Sequence, residues 1–175
     1  MSELEKPRVL KKQQQWRVYK PTKDGKGAAS RLELKIITTP KTSGDKVFVD
    51  REVQVFWVAS PQTGVDSNDN AMFSWKDKDD KLSVTLKLGE PDIGDLLAVL
   101  TGVKNAVGTG KGIYHQNDKG NTSFTFEVVQ DRGYSIRLAK MVSGKLTQVK
   151  HTLTWGEGAV LRVLLESIIR QTYLW

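Results

Sequence analysis

The residue types placed to do chemistry in this chain are aromatic rings and cations, not nucleophiles or metal ligands. Trp16 and Tyr19 precede Lys20, Phe56 stands beside Trp57, Phe73 and Trp75 lead into Lys76, and Tyr114 abuts His115. Rings offer π-faces on which unpaired bases stack, worth about 1–3 kcal/mol per base, and lysines follow a phosphate backbone. A ring that alternates within a strand serves a core equally well, so both uses stay open for each of them. Phe124, Phe126 and Trp155 fit the core; Trp75, directly before the charged stretch 76–80, fits it least.

The string GKGAAS at residues 25–30, flanked by Lys20, Lys23 and Lys26, has two readings. Small residues let a backbone approach phosphates closely, or they make an ordinary hairpin turn. A P-loop is excluded, because no spaced Gly-Lys-Ser/Thr precedes a helix. GVKNAVGTGKG at residues 102–112 leads into a strand and reads as a linker. Without cysteine there are no disulfides and no thiolate metal sites, and two histidines, His115 and His151, cannot build a zinc site. No metal and no cofactor is expected. Glu90 and Glu157 each follow a glycine at the start of an apolar run; they read as an acid pair or, more cheaply, as acids at helix starts. No nucleophile stands in a recognisable constellation, so a non-enzyme is expected.

These residues need elements to position them. QWRVYK alternates from Gln15, and RLELKII places Leu32, Leu34 and Ile36 on one face with Arg31, Glu33 and Lys35 on the other. After the turn cluster TTPKTSGD comes KVFVDREVQVFWVAS, a long strand or bent pair expected to stop at Pro61. MFSWKDKDDKLSVTLKL reads as two extended pieces around a charged turn, or as one strand with a bulge. At GEPDIGDLLAVL the period changes to about 3.6 residues, which marks a short helix opened by Pro91 and acidic residues. Beyond the linker the programme restarts: GIYHQ, NTSFTFEVVQ, GYSIRLAKMV and KLTQVKHTLTW as strands, then a helix from GEGAVLRVLLES onward. Val160, Val163, Leu164 and Ile168 form its apolar stripe, and Leu161, Leu165 and Ile169 widen it. So broad a stripe asks for more than one neighbour.

The fold class expected is therefore α+β, two ββββα repeats of antiparallel sheets packed with helices. In domain terms, residues 1–14 are a flexible basic arm and 15–175 one domain, with repeat one at 15–102 and repeat two at 111–175. The chain has 175 residues, room for one domain of two similar halves, and its Lys plus Arg number 27 against 20 Asp plus Glu. The formal charge of +7 favours a polyanionic partner. The first residues mix acids with bases and show no leader, and no apolar run reaches membrane-spanning length. A cytoplasmic, nucleoid-associated protein without a membrane partner is expected.

Pattern and strings together resemble the Whirly family of single-stranded DNA-binding proteins, and more distantly the trypanosome guide-RNA-binding proteins and the transcription positive-coactivator fold. VYKPTKDGKGAASRLEL is similar to the family's lysine-glycine-lysine-alanine-alanine-leucine motif at Val18–Lys20, Lys26, Ala28 and Ala29, with Gly27 interposed, Ser30 in the leucine position and PTKDG inserted. FSWKDKDDKLSVTLKLGEPDIGDLLAVL is similar to the family's aromatic strand and short helix, through Ile93, Gly94 and Leu96. LLESIIRQTYLW matches its apolar terminal helix. The resemblance implies a homotetramer assembled through the C-terminal helix, with single-stranded DNA held by the sheets of neighbouring subunits, largely without sequence preference, in replication, repair or recombination. The expected phosphate contacts are Lys20, Lys26, Lys35, Lys76, Lys81 and Lys87, and the expected stacking rings are Tyr19, Trp57 and Trp75. RNA binding or annealing, and a structural module that binds no nucleic acid, are the alternatives.

Overall fold

The computed structural model describes residues 10–43, 46–75, 82–108, 112–118 and 120–173. Strands Leu10–Lys20 (β1), Ala28–Ser43 (β2), Lys46–Val65 (β3), Ala71–Phe73 (β4) and Val84–Leu88 (β5) precede helix Glu90–Leu100 (α1). Strands Ile113–Asn117 (β6), Gly120–Val129 (β7), Gly133–Val142 (β8) and Lys145–Leu153 (β9) precede helix Trp155–Tyr173 (α2). All pairings are antiparallel: β1, β2, β3 and β5 form one meander with β4 on the far end of β3, and β6 to β9 form the other. The twice-written strand and helix programme is thus one sheet and one helix per half.

Alternation decides what each sheet buries. Leu32 and Leu34, Val55 and Trp57, and Val84, Leu86 and Leu88 turn inward from the first sheet; Phe124, Phe126, Ile136, Leu138, Val149 and Leu153 meet them from the second. Trp57 lies against Phe124 with ring centroids 5.1 Å apart. Ile93, Leu96 and Val99 of α1 and Leu161, Leu165 and Ile168 of α2 close the same core. Gly158 belongs to this packing, since a Cβ there would run into the Tyr134 ring of β8.

Several boundaries differ from the sequence reading. β1 begins at Leu10, inside the stretch expected to be a free arm, because its first residues pair with β2 as far as Leu10 opposite Thr38. Residues 1–9 lie outside the described part. Pro61 does not stop β3. It falls between the segment of β3 that pairs with β5, Val55 to Ala59, and the segment from Gln62 that pairs with β4, so no ladder bond needs the N–H it lacks. Pro40 likewise sits within β2, two residues beyond Thr38, which is the last β2 residue paired with β1 among the described residues. Among the described residues, 39–43 of β2 and 46–50 of β3 pair with each other and with no other strand.

The helix starts also correct a match. In α1 the carboxylate that closes the first turn is Asp92, whose Oδ2 accepts from the Gly89 N–H at 2.8 Å. In α2 Thr154 and Glu157 form a reciprocal capping box: Glu157 Oε2 accepts from Thr154 N at 2.7 Å, and Thr154 Oγ1 accepts from Glu157 N at 3.2 Å. The counterpart of Glu157 is therefore Asp92, not Glu90. No helix among the described residues is long and apolar enough to cross a membrane.

Candidate nucleic-acid interface

The outward pleat of the first sheet brings aromatic rings and cations together. Register sets its rows: Tyr19, Ala29 and Ser60; Arg17, Arg31, Val58 and Thr85; Gln15, Glu33, Phe56 and Lys87. Ala29, Val58 and Ser60 are buried although they point outward, and the chain after β4 folds back onto Ser60. Ser60 Oγ donates to the Ser74 carbonyl at 2.9 Å, and Trp75 N donates to the Phe73 carbonyl at 3.0 Å. This return lays Phe73 and Trp75 beside Tyr19, whose ring is 5.5 Å from Phe73 and meets Trp75 edge-on at 6.2 Å. The Arg31 guanidinium lies 4.8 Å from the Trp75 ring centre, a cation–π support.

Electrostatics organises the neighbouring row. Glu33 is only 4% exposed. Arg31 Nε lies 2.6 Å from its Oε1 and Lys35 Nζ 3.5 Å from its Oε2, so the buried carboxylate is matched by cations on both sides. Lys35 also sits 4.6 Å over the Phe56 ring. At the edge Lys87 Nζ approaches Glu52 at 3.8 Å, and in the β1–β2 loop Lys26 Nζ approaches Asp24 at 3.4 Å. These last two pairs are exposed and worth little, so a phosphate can compete for either lysine.

Of the residues expected to bind, the structure brings Tyr19, Trp75, Lys35 and Lys87 to one face and puts Lys26 in the loop above it. Two expectations are corrected. Trp57 has no exposed surface and is a core residue between the sheets. Lys20 points to the inner side, where its Nζ meets both Glu157 oxygens at 2.7 and 2.6 Å. Burial alone would raise the Glu157 pKa, but hydrogen bonds from Lys20 and Thr154 outweigh it and hold the carboxyl below its ordinary range. Lys76 and Lys81 lie outside the described residues. Arg17 and Arg31, which also stand on this face, were missing from the expected contacts, and strand alternation with Lys35 was the signal that could have found them.

Beneath this face is a polar bridge between the sheets. Trp57 Nε1 donates to Ser30 Oγ at 3.1 Å, and Ser30 Oγ lies 2.5 Å from His151 Nε2. His151 Nδ1 lies 3.3 Å from the Thr152 carbonyl, which can only accept, so Nε2 is the acceptor for the serine proton. Burial holds the His151 pKa below its ordinary 6.5, with Lys20 adding to the effect, against the Thr152 carbonyl and Glu157. Ser30 is fully buried, and His151 is 9% exposed.

No family model matches the chain, and no curated protein sequence matches it. Solved structures do. WHY1 from Arabidopsis thaliana superposes with a TM-score of 0.68 at 15% identity over 95% of this chain and 86% of that one. WHY3 from the same plant gives 0.68 at 16% identity, over 97% and 92%. A guide-RNA-binding protein complex solved with a guide RNA gives 0.55 at 13% identity, over 97% and 95%. The chain has a Whirly-like fold.

Proposed function

We propose that this protein binds single-stranded DNA with little sequence preference, and that it acts without enzymatic chemistry to protect or organise exposed strands in replication, repair or recombination. The observation that carries the reading is the outward cluster of Tyr19, Phe73 and Trp75 with Arg31 against the tryptophan, beside Lys35 and Lys87. Rings for bases and cations for phosphates are the two components that binding of an unpaired strand requires. The Whirly-like fold and the strings that resemble that family support the same choice. Assembly as a homotetramer through α2, and a cytoplasmic location, belong to this proposal. Val160 and Val163 of α2 are 49% and 63% exposed, an apolar stripe the protomer leaves uncovered.

RNA is a second reading, favoured by the structural neighbour that holds a guide RNA. Matched DNA and RNA oligonucleotides in competition separate the two, since the 2′-hydroxyl is what a site can discriminate. The deciding experiment is a band-shift titration with single-stranded, double-stranded and RNA oligonucleotides over a salt series, with Trp75→Ala alongside. Loss of one stacked base weakens single-strand binding about five- to 150-fold. A protein that shifts none of these oligonucleotides even at low salt ends the proposal.

A further inference from the structure

The polar bridge stands at the inner end of a line of aromatic rings. Trp57 is fully buried, and its indole N–H donates to Ser30 Oγ at 3.1 Å. Ser30 in turn directs its own proton to His151 Nε2, 2.5 Å away. On the other side the Trp57 ring lies 5.1 Å from Phe124 and 6.4 Å from Phe126. Phe126 stacks on Tyr134 at 5.1 Å, and Tyr134 meets Trp155 edge-on at 5.1 Å. Trp155 is 48% exposed, so the line runs from the centre of the molecule to its surface.

Ring packing alone explains the contacts, since such pairs add about 0.5–1.5 kcal/mol beyond their burial. It does not explain the relay. Three apolar side chains would fill the same space without desolvating an indole N–H, a hydroxyl and an imidazole. The chain has no cysteine, which leaves tryptophan and tyrosine as its side chains most readily oxidised by one electron. Loss of an electron makes an indole N–H strongly acidic, so a buried tryptophan holds the deficit only where its proton can move to a base. His151 is that base. Burial keeps it neutral; of the charged groups facing it, Lys20 of β1 opposes proton uptake and Glu157 of α2 favours it. Burial also pushes the Tyr134 pKa up, so the phenol keeps its proton and passes the deficit on.

We propose that Trp57 is a terminus for oxidising equivalents that enter at Trp155. A one-electron oxidant at the surface, of the oxygen-centred radical or ruthenium(III) polypyridyl class, takes one electron from Trp155. Trp155 recovers it from Trp57 by way of Tyr134 and across the Phe126 ring. The Trp57 N–H bond breaks as its proton moves to Ser30 Oγ, and the Ser30 proton forms an N–H bond at His151 Nε2. Trp57 has then lost one electron and one proton and is a neutral radical, His151 is an imidazolium, and the oxidant is reduced by one electron. A thiol or ascorbate in solution returns the electron, and both protons move back. This activity goes beyond strand binding and does not depend on it.

The test is flash oxidation of the full chain by photogenerated ruthenium(III) tris-bipyridine, read by electron paramagnetic resonance and transient absorption, with circular dichroism on every variant. The parent should give a long-lived neutral tryptophanyl radical, and Trp57→Phe should abolish it. Trp155→Phe, a change at the surface, should slow its appearance. His151→Gln keeps an acceptor for Ser30 but supplies no base, so the neutral radical should be lost while the indole stays in place; a packing role for the bridge would not change the kind of radical. A parent that yields no neutral tryptophanyl radical overturns the inference, as does a signal unchanged in Trp57→Phe. Should Trp57→Phe fail to fold, persistence of the neutral radical in His151→Gln, or its formation at the parent rate in Trp155→Phe, overturns it equally. Oligonucleotide binding is measured separately, so this inference and the proposed function fail independently.

Discussion

Ser30 stands where the Whirly-like motif would have leucine, and the structure explains the exchange. A leucine there could not accept from Trp57 Nε1 or donate to His151 Nε2, and each of those buried groups would lose about 1–3 kcal/mol. Ser30 on β2 and His151 on β9 thereby link the two sheets through one polar bridge. That bridge titrates. His151 is neutral when folded, with its pKa depressed by burial below 6.5, so the unfolded chain takes up the proton first as pH falls. Stability contributed by neutral His151 is complete above about pH 6.5 and drains away as pH falls toward the folded-state pKa, by up to about 1.4 kcal/mol per pH unit. Urea unfolding at pH 7.5 and pH 5 should show this loss, and His151→Gln should flatten it; an equal loss in both proteins places the acid sensitivity elsewhere.

At the scale of elements, α2 divides its apolar residues by duty. Leu161, Leu165 and Ile168 are buried in the protomer, whereas Val163 faces out. Val163→Glu should therefore leave protomer stability within about 0.5 kcal/mol while lowering the mass seen by light scattering. An unchanged mass would remove α2 from the assembly. Strand and helix alternation was plain in the sequence, since the period changes from two to 3.6 at both Gly-Glu boundaries. What it could not give was context for particular residues. Pro61 reads as a stop because its tolerated position depends on a gap between two partner strands that are distant in sequence. Trp57 and Trp75 look alike as letters. One is buried because its strand is covered by a second sheet, the other reaches the surface because the chain turns back after β4. Lys20 is on the inward pleat by its parity with Val18, a fact visible in the alternation; its carboxylate partner on α2 was not.

Across the whole molecule, two antiparallel meanders share one core and present two outward faces of unlike character. The first offers rings together with cations, of which Arg31 and Lys35 stand beside Glu33, Lys87 beside Glu52 and Arg17 beside the Gln15 amide oxygen; the second carries Arg137 and Lys150 as exposed cross-strand neighbours. The ribbon of β2 and β3 beyond their neighbours has a different consequence. Among the described residues its strands have no further partner on either side, and Phe48 and Val49 are 49% and 64% exposed there. Such an arm is a template for sheet growth between molecules, and the features that oppose growth are Pro40 and the exposed pair of Lys41 with Asp50, 2.6 Å apart. Pro40→Val should turn a soluble preparation turbid and fluorescent with an amyloid dye on standing. A variant that stays clear at high concentration would mean the arm's edges are guarded by something other than that imino ring.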